Sequence, residues 1–529
     1  MFILKKNNSQ NYSLIAERGK ASERDKAVQT IIFRHRKKVP GYQFSGKYKS
    51  GIWDGAVYNF KPSSIRAGFL QETIEHLNTF QVPWKWENNK SPDFLPFYID
   101  NEFDQNEFSN FCSTYIGSLS KTFKEKVGRE LEVRDYQISS AFKALTQKLG
   151  IILHSTGSGK SFTISIILAF LFYKKLITKA VIIVPRQSLT TQFKNDLITF
   201  GFDESKIGLV LSSQKQTSRP ITIIMNQSLR MMEETSIETD FLNLVDFVVC
   251  DEVHTAAAKT VTNSIIKFKN SKYFLGFTGT LPESELDRDI INSLFGYVID
   301  EQNVKDLSGD VLAEVTVGIL TFNYGTKAKE SRKIRSESTR GWNEEVNFLQ
   351  NDDSFRNKHI TNIVYQNYLK GGKIIVLVKN TEYGLKLFKK LSDLGVKNIF
   401  WIEGSVSLKE RDTIIETCRN SKEEYVIVTN FSIFSVGINI PNIDLVIFAD
   451  SSKSKITVAQ SIGRGIRKTS TKTKVNILDC SCDLKYGAKH GRKRKQLYQD
   501  EGFKVVEKII SIDDENNELA NKINNLRKI

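Results

Sequence analysis

Three short stretches of this chain hold residues whose types and spacing could do phosphate chemistry. In "HSTGSGKS", Gly157, Gly159, Lys160 and Ser161 close a turn that also holds Thr156 and Ser158. Glycines let backbone N–H groups converge on phosphate oxygens, the lysine reaches the β- and γ-phosphates, and the serine hydroxyl binds Mg²⁺. The strict pattern begins with glycine, and here that position is His154. In "LVDFVVCDEVHTAAAK", an apolar run ends at Asp251 and Glu252, with His254 two residues on. A phosphate loop predicts such a carboxylate at the end of another strand. Asp251 would hold Mg²⁺, mostly through water, leaving Glu252 to orient or deprotonate the attacking water. The zinc-protease pattern HExxH is absent, so that chemistry is not expected. In "AQSIGRGIRK", Gln460, Arg464 and Arg467 share one face of a helix. They read either as a solvated basic face or as arginine fingers that complete an ATP site from across a domain cleft. That half of the chain has no phosphate loop of its own, which fits the second reading.

These residues need elements to position them. The glycine loop lies between the apolar run "GIILH" and the helical stretch "FTISIIL". Further β-branched runs follow, "KAVIIVP", "PITIIM", "VDFVVC" and "KYFLGFTG", and the pattern returns in "GKIIVLVKN", "KNIFWIEG", "EYVIVTN", "IDLVIFAD" and "KVNILD". Runs apolar on both faces, separated by helical segments, predict parallel sheets of βα units. The expectation is therefore two α/β domains in tandem, 126–305 and 306–485. The basic polar segment "YGTKAKESRKIRSESTRGWNEE" interrupts the start of the second. Residues 1–125 lack long helical periodicity and read as a small α+β domain, with a helix at "LQETIEHLNTF" and strands and turns in "GYQFSGKYKSGIWDGAVYNF". Residues 486–529 form a basic C-terminal extension whose last stretch is either a short helix or a frayed tail.

The chain has 529 residues, 40% hydrophobic and 26% charged, which suits a globular protein of several domains. No apolar run reaches bilayer length, and "MFILKKNNSQ" lacks the order of a signal peptide. Five scattered cysteines without a CxxC pair argue against zinc and against a disulfide framework, so Cys480 and Cys482 read as free thiols. The expectation is a reduced, cytoplasmic protein. The net charge is +16, and it is clustered, which favours a phosphate-backbone partner. Residues 1–60 carry twelve Lys/Arg against four Asp/Glu, and "KYGAKHGRKRKQ" carries six without an acid. In the first cluster Arg34, Arg36, Lys37, Lys38, Lys47 and Lys49 interleave with Tyr42, Phe44, Tyr48 and Trp53. The aromatics can equally be the core of a small domain.

The ordered motifs resemble a superfamily 2 helicase of the DExH kind. "RDYQ", "HSTGSGKS", "VPRQSLTTQF", "MNQSL", "DEVH", "TGT", "VLVKN", "VTNFSIFSVGINIPN" and "QSIGRGIR" follow the family order. The aromatic N-terminal stretch and "FSVGINIPNIDLVIFADSSKSKITVAQSIGRGIRK" are similar to the phage UvsW-type recombination helicases. The resemblance implies RecA-like motor domains that use ATP and Mg²⁺. It implies Gln137 as the adenine contact, Gly437 at the nucleotide, and His254, Thr278 and Thr280 coupling hydrolysis to movement. It implies Arg186, Asn226, Gln227, Lys379, Asn380 and Thr429 as nucleic-acid contacts. The implied partners are single-stranded and branched DNA, remodelled by branch migration, fork regression and 3′→5′ unwinding. RNA or an RNA–DNA hybrid is the alternative substrate, and a non-catalytic basic binding module the alternative of another class. A monomer without a membrane partner is expected.

Overall fold

A computed structural model describes residues 1–16, 25–89, 103–127, 130–211, 214–232, 236–303, 313–333, 339–431, 433–434, 440, 442–450 and 474–512. The chain forms two compact units, residues 1–301 without the loop 155–158, and residues 302–529 with that loop.

The first unit is built on an eight-stranded sheet in the order Gln214–Lys215, Ile207–Leu211, Ile221–Met225, Ala180–Val184, Phe247–Asp251, Tyr273–Thr278, Leu149–His154, Val298–Gln302. From Ile207–Leu211 across to Leu149–His154 every pairing is parallel. Its central strands are almost wholly buried, as the two-sided apolar runs require. The helix Lys160–Tyr173 is apolar nearly all round and buries nine residues. The short strand Ile207–Leu211 and the edge strand Val298–Gln302 are not among the expected runs, because each carries polar or small residues that blur the pattern.

The N-terminal zone joins this unit through a shared core. Its sheet runs Ile65–Arg66, Asn11–Ala16, Phe2–Asn8, Trp84–Trp86. Phe2, Leu4, Tyr12, Ile31 and Leu77 belong to the same buried cluster as Ile151, Val181 and Phe274. Gly68 allows the closest approach. A Cβ there would run into the backbone carbonyls of Asn292 and Ser293 on the helix Glu285–Phe295.

Two expectations for this zone need correction. The helix Leu70–Thr79 forms as expected, but "GYQFSGKYKSGIWDGAVYNF" has only one strand, Ala56–Tyr58, paired to Arg36–Lys38, and its turns include two short helical ones, Tyr42–Phe44 and Gly46–Lys49. Left-handed Gly41, Gly51 and Gly55 fold the segment onto itself. Tyr42 and Tyr48 meet edge to face at 4.8 Å, and the Trp53 indole N–H donates to Ala56 O at 2.8 Å. These three rings are half-buried and packed within the segment rather than in the buried core, whereas Phe44 is 75% exposed. Second, the zone does contain a long helix, Gln105–Val127. Its buried Phe108, Cys112, Leu119 and Phe123 line one face, and Phe108 meets Phe170 edge to face.

The second unit carries a seven-stranded sheet in the order Ile399–Ile402, Tyr425–Asn430, Lys373–Val378, Leu445–Phe448, Lys474–Cys482, Glu314–Asn323, Lys504–Ser511. All six pairings are parallel. The polar segment at its start forms the helices Thr326–Lys333 and Thr339–Asn347. The basic run near the C-terminus forms the helix Lys485–Asp500, and the strand Lys504–Ser511 then closes the sheet edge. All five cysteines are buried free thiols, and no cluster of metal ligands occurs among the described residues. No helix among the described residues is long and apolar enough to cross a membrane.

Candidate active site

The glycine loop follows from local backbone demands. Strand Leu149–His154 ends, Gly157 and Gly159 adopt φ of 92° and 87°, and the helix begins at Lys160. Only glycine holds such angles without strain. A Cβ on Gly159 would also strike the side-chain amide of buried Gln137. Gln137 therefore lies against the loop, held by its own bond to Arg134 N at 3.1 Å. Lys160 Nζ donates to His154 O at 3.1 Å. The helix dipole and the loop N–H groups make this end suited to an anion.

The acidic pair stands one strand away. Thr278 pairs with Leu153 of the loop strand, and Asp251 with Phe277. Three adjacent strands thus bring the glycine loop, "DEVH" and "TGT" to the same sheet edge, at the strands' C-terminal ends, where ligands of open α/β sheets bind. Glu252 sits just past its strand in a left-handed conformation, φ 52°, which costs about 1–2 kcal/mol for a residue with a Cβ. The Thr278 hydroxyl lies 3.3 Å from Glu252 Oε2 and 2.9 Å from His254 Nδ1. It is also 3.0 Å from the carbonyl of Thr280. Glu252, His254, Thr278 and Thr280 therefore form one connected cluster. Asn226 joins it through Thr255, its Nδ2 donating to the Thr255 hydroxyl at 3.3 Å.

Burial, and then the neighbouring Glu252 charge, push the Asp251 carboxyl well above the usual carboxylate range, while Lys160 opposes them. A divalent cation would relieve that strain. The hard oxygens of Asp251 and Ser161 suit Mg²⁺, which prefers few protein carboxylates and keeps its water.

The other residues expected to act differ in their surroundings. Arg186 and Gln227 are exposed where helices start after Ala180–Val184 and Ile221–Met225. Lys379 is exposed, its ammonium 4.0 Å from the centre of the Trp342 ring. Asn380 is engaged as a helix cap, its Oδ1 accepting from Glu382 N at 2.8 Å. Thr429 needs correction as a nucleic-acid contact: it is fully buried, and its hydroxyl donates to Ile402 O at 2.8 Å. The strand Tyr425–Asn430 is buried on both faces as far as Thr429, and only Asn430 at its end is partly exposed. Gly437, Gln460, Arg464 and Arg467 lie outside the described residues. Sequence reasoning missed Ser140, Lys143 and Asp300, which surround His154. The only signal was His154 itself, a departure from the loop pattern.

Two family models match the chain: the res subunit of type III restriction enzymes over residues 130–283, and the helicase conserved C-terminal domain over 356–469. The ATP-dependent DNA helicase uvsW of Enterobacteria phage T4 is 23% identical over 497 residues, covering 89% of this chain and 93% of that protein. This chain is a superfamily 2 helicase resembling UvsW. It is an ATP-using enzyme of nucleic acids, and it carries two tandem helicase domains built on RecA-like parallel sheets. The DNA 3′-5′ translocase XPB2 of Sulfurisphaera tokodaii is 24% identical over 415 residues, 72% of this chain and 86% of that one. The same fold occurs in Mss116p bound to single-stranded RNA and AMP-PNP, at a TM-score of 0.54 and 15% identity, over 78% of this chain and 80% of that chain.

Proposed function

We propose that this helicase is a Mg²⁺-dependent DNA motor that remodels branched DNA, driving branch migration and fork regression with 3′→5′ polarity. The observation that carries the catalytic part is the convergence of Lys160, Asp251, Glu252, His254 and Thr278 at the ends of three adjacent strands. The substrate class is supported by likeness along most of the chain to a phage DNA helicase, and by a second relative named for 3′-5′ translocation on DNA.

In this reading the loop N–H groups and Lys160 hold the β- and γ-phosphates, and Gln137 reads the adenine. Bound Mg²⁺, held by Ser161 and Asp251, would neutralise charge between those phosphates. Glu252 takes the proton from the attacking water. His254 and Thr278 report the state of Glu252 to Thr280, because the Thr278 hydroxyl touches all three. Gln460, Arg464 and Arg467 stabilise charge on the transferred phosphoryl group. Arg186, Asn226, Gln227 and Lys379 hold the strand by its phosphates, which positions it without reading sequence. In this reading the motor is centred on 126–305 and 306–485 with 1–125 as accessory zone, but the helix Lys485–Asp500 and the strand Lys504–Ser511 make most of the described part of the 486–529 extension an integral part of the second unit.

The test compares ATP hydrolysis on single-stranded DNA, forked DNA and RNA, then follows strand rearrangement on a labelled four-way DNA junction. ATP-dependent movement of the junction is expected. Stimulation by RNA alone, or a junction bound but never moved, would overturn the proposal.

A further inference from the structure

The strand end that begins the phosphate loop is tied to residues outside every motif. His154 is fully buried at the last position of its strand. Its Nε2 lies 2.7 Å from Asp300 Oδ2 and 3.1 Å from Ser140 Oγ. The Ser140 hydroxyl donates to the same carboxylate at 2.5 Å, and Lys143 Nζ donates to its other oxygen, also at 2.5 Å. Burial alone would raise the Asp300 pKa, but these three donors hold it down to about 2. Asp300 is thus an ionised carboxylate at the centre of the cluster. His154 must carry its proton on Nε2 to donate to it, which leaves Nδ1 without a partner among the described residues. A buried unpaired acceptor is unfavourable, and an apolar side chain at this position would avoid it.

Each partner leads to a different part of the nucleotide site. Ser140 and Lys143 lie on the helix Asp135–Gln147, about one and two turns beyond Gln137. Asp300 lies on the strand Val298–Gln302, and Gln302 O accepts from Ser155 N of the loop at 3.0 Å. The carbonyl of His154 is the group that accepts from Lys160 Nζ. One buried carboxylate therefore joins the helix that carries Gln137 to the strand end that carries the loop.

We propose that Asp300 is a positioning residue for the nucleotide: through Ser140 and His154 it fixes the Gln137 helix against the phosphate loop, and so sets the affinity for ATP. It touches no substrate itself. The proposal rests on Gln137 and Lys160 being nucleotide contacts. It makes the departure at His154 part of a binding device, because glycine there could not reach Asp300.

The experiment uses the full chain with saturating single-stranded DNA. Asp300→Asn keeps the shape, removes the charge and leaves Lys143 without its ion pair. The KM for ATP should rise roughly five- to tenfold, the scale of one ordinary hydrogen bond, with kcat within about twofold of wild type. Asp300→Glu should recover part of the loss. Ser140→Ala, which spares the His154–Asp300 bond, should give a smaller rise. A fluorescent ATP analogue should show matching losses of affinity. An unchanged KM, with kcat falling in step with the melting temperature, would show a merely structural cluster and overturn the proposal. If Asp300→Asn does not fold, an unchanged KM in Ser140→Ala overturns it instead. Lys160→Ala separates the two levels: hydrolysis surviving that change would refute the nucleotide site itself, whereas its loss beside a normal Asp300→Asn refutes only the role of Asp300.

Discussion

His35 should act as a charged clamp between the N-terminal zone and the motor helix Glu285–Phe295, and its removal should be costly. The ring is 2% exposed and lies between two carboxylates, with Nδ1 2.7 Å from Asp289 and Nε2 3.1 Å from Glu72. Carboxylates accept, so both ring nitrogens must donate, and the ring is an imidazolium. Burial lowers its pKa, but the bonds to Asp289 and Glu72 more than offset that, and the net shift is upward. The carboxylates have other donors as well: Asn59 bonds Asp289 at 2.6 Å, and Arg34 and Tyr297 both bond Glu72. His35→Gln can replace one bond and not the charge. Breaking a buried pair by removing one partner costs about 3–5 kcal/mol. At about 2 °C per kcal/mol for a unit of this size, Tm should fall by roughly 6–10 °C. A pKa raised in the folded state gives stability that is complete below the unfolded value of about 6.5 and is lost as pH rises through the folded value. Thermal melts across pH 5.5 to 9 should therefore show the wild type losing Tm with rising pH, and His35→Gln lacking that part of the slope. Equal slopes in the two proteins would refute the charged ring. An equal Tm at low pH would refute the clamp.

Glu252→Gln keeps the size of the side chain and an oxygen for Thr278, so nucleotide binding should survive while hydrolysis falls at least about a hundredfold; near-normal turnover would reject Glu252 as the base. Arg467→Ala should abolish DNA-stimulated hydrolysis and leave DNA affinity largely intact, and the opposite result would make Arg467 a backbone contact. For the basic N-terminal zone, the shared core argues against deletion, which would strip Phe2, Leu4 and Leu77 from the motor's own packing. Lys47 and Lys49 are exposed, so the pair Lys47→Glu and Lys49→Glu should instead weaken four-way-junction binding and flatten its salt dependence while sparing single-strand-stimulated hydrolysis. An unchanged salt slope would place the junction contact elsewhere.

The motor was legible where function forces local pattern. A buried parallel strand must be apolar on both faces, so "VDFVVC" and "EYVIVTN" announce themselves. A phosphate loop must have glycine at left-handed positions, and Gly157 and Gly159 are there. Legibility failed at single-residue resolution. The motif places Thr429 at a nucleic-acid contact, yet the two-sided burial of its strand runs as far as Thr429 and ends only at Asn430. It failed too where tertiary contact overrides local composition. The aromatic segment 41–60 lacks a helical period but is curled by glycines around Tyr42 and Tyr48.

Charge was the least legible property, because composition counts cations without showing which are already engaged. The run at 485–496 looked like a phosphate-binding tail. Within it Arg494 is buried and grips Asp479 through two nitrogens, each at 2.7 Å, and Tyr498 donates to the same carboxylate at 2.7 Å. Lys495 pairs with Glu507 on the edge strand at 2.5 Å. These bonds fasten the helix Lys485–Asp500 to its own sheet. His35 with Asp289 and His154 with Asp300 follow the same logic at sequence separations of 254 and 146 residues. In both of these pairs a buried imidazole is satisfied by a partner that no short window along the sequence contains. A basic stretch therefore points to nucleic acid only after its internal pairs are subtracted; within the N-terminal cluster Arg36 pairs with Asp54, whereas Lys47 and Lys49 are exposed and stay the first candidates for the junction contact.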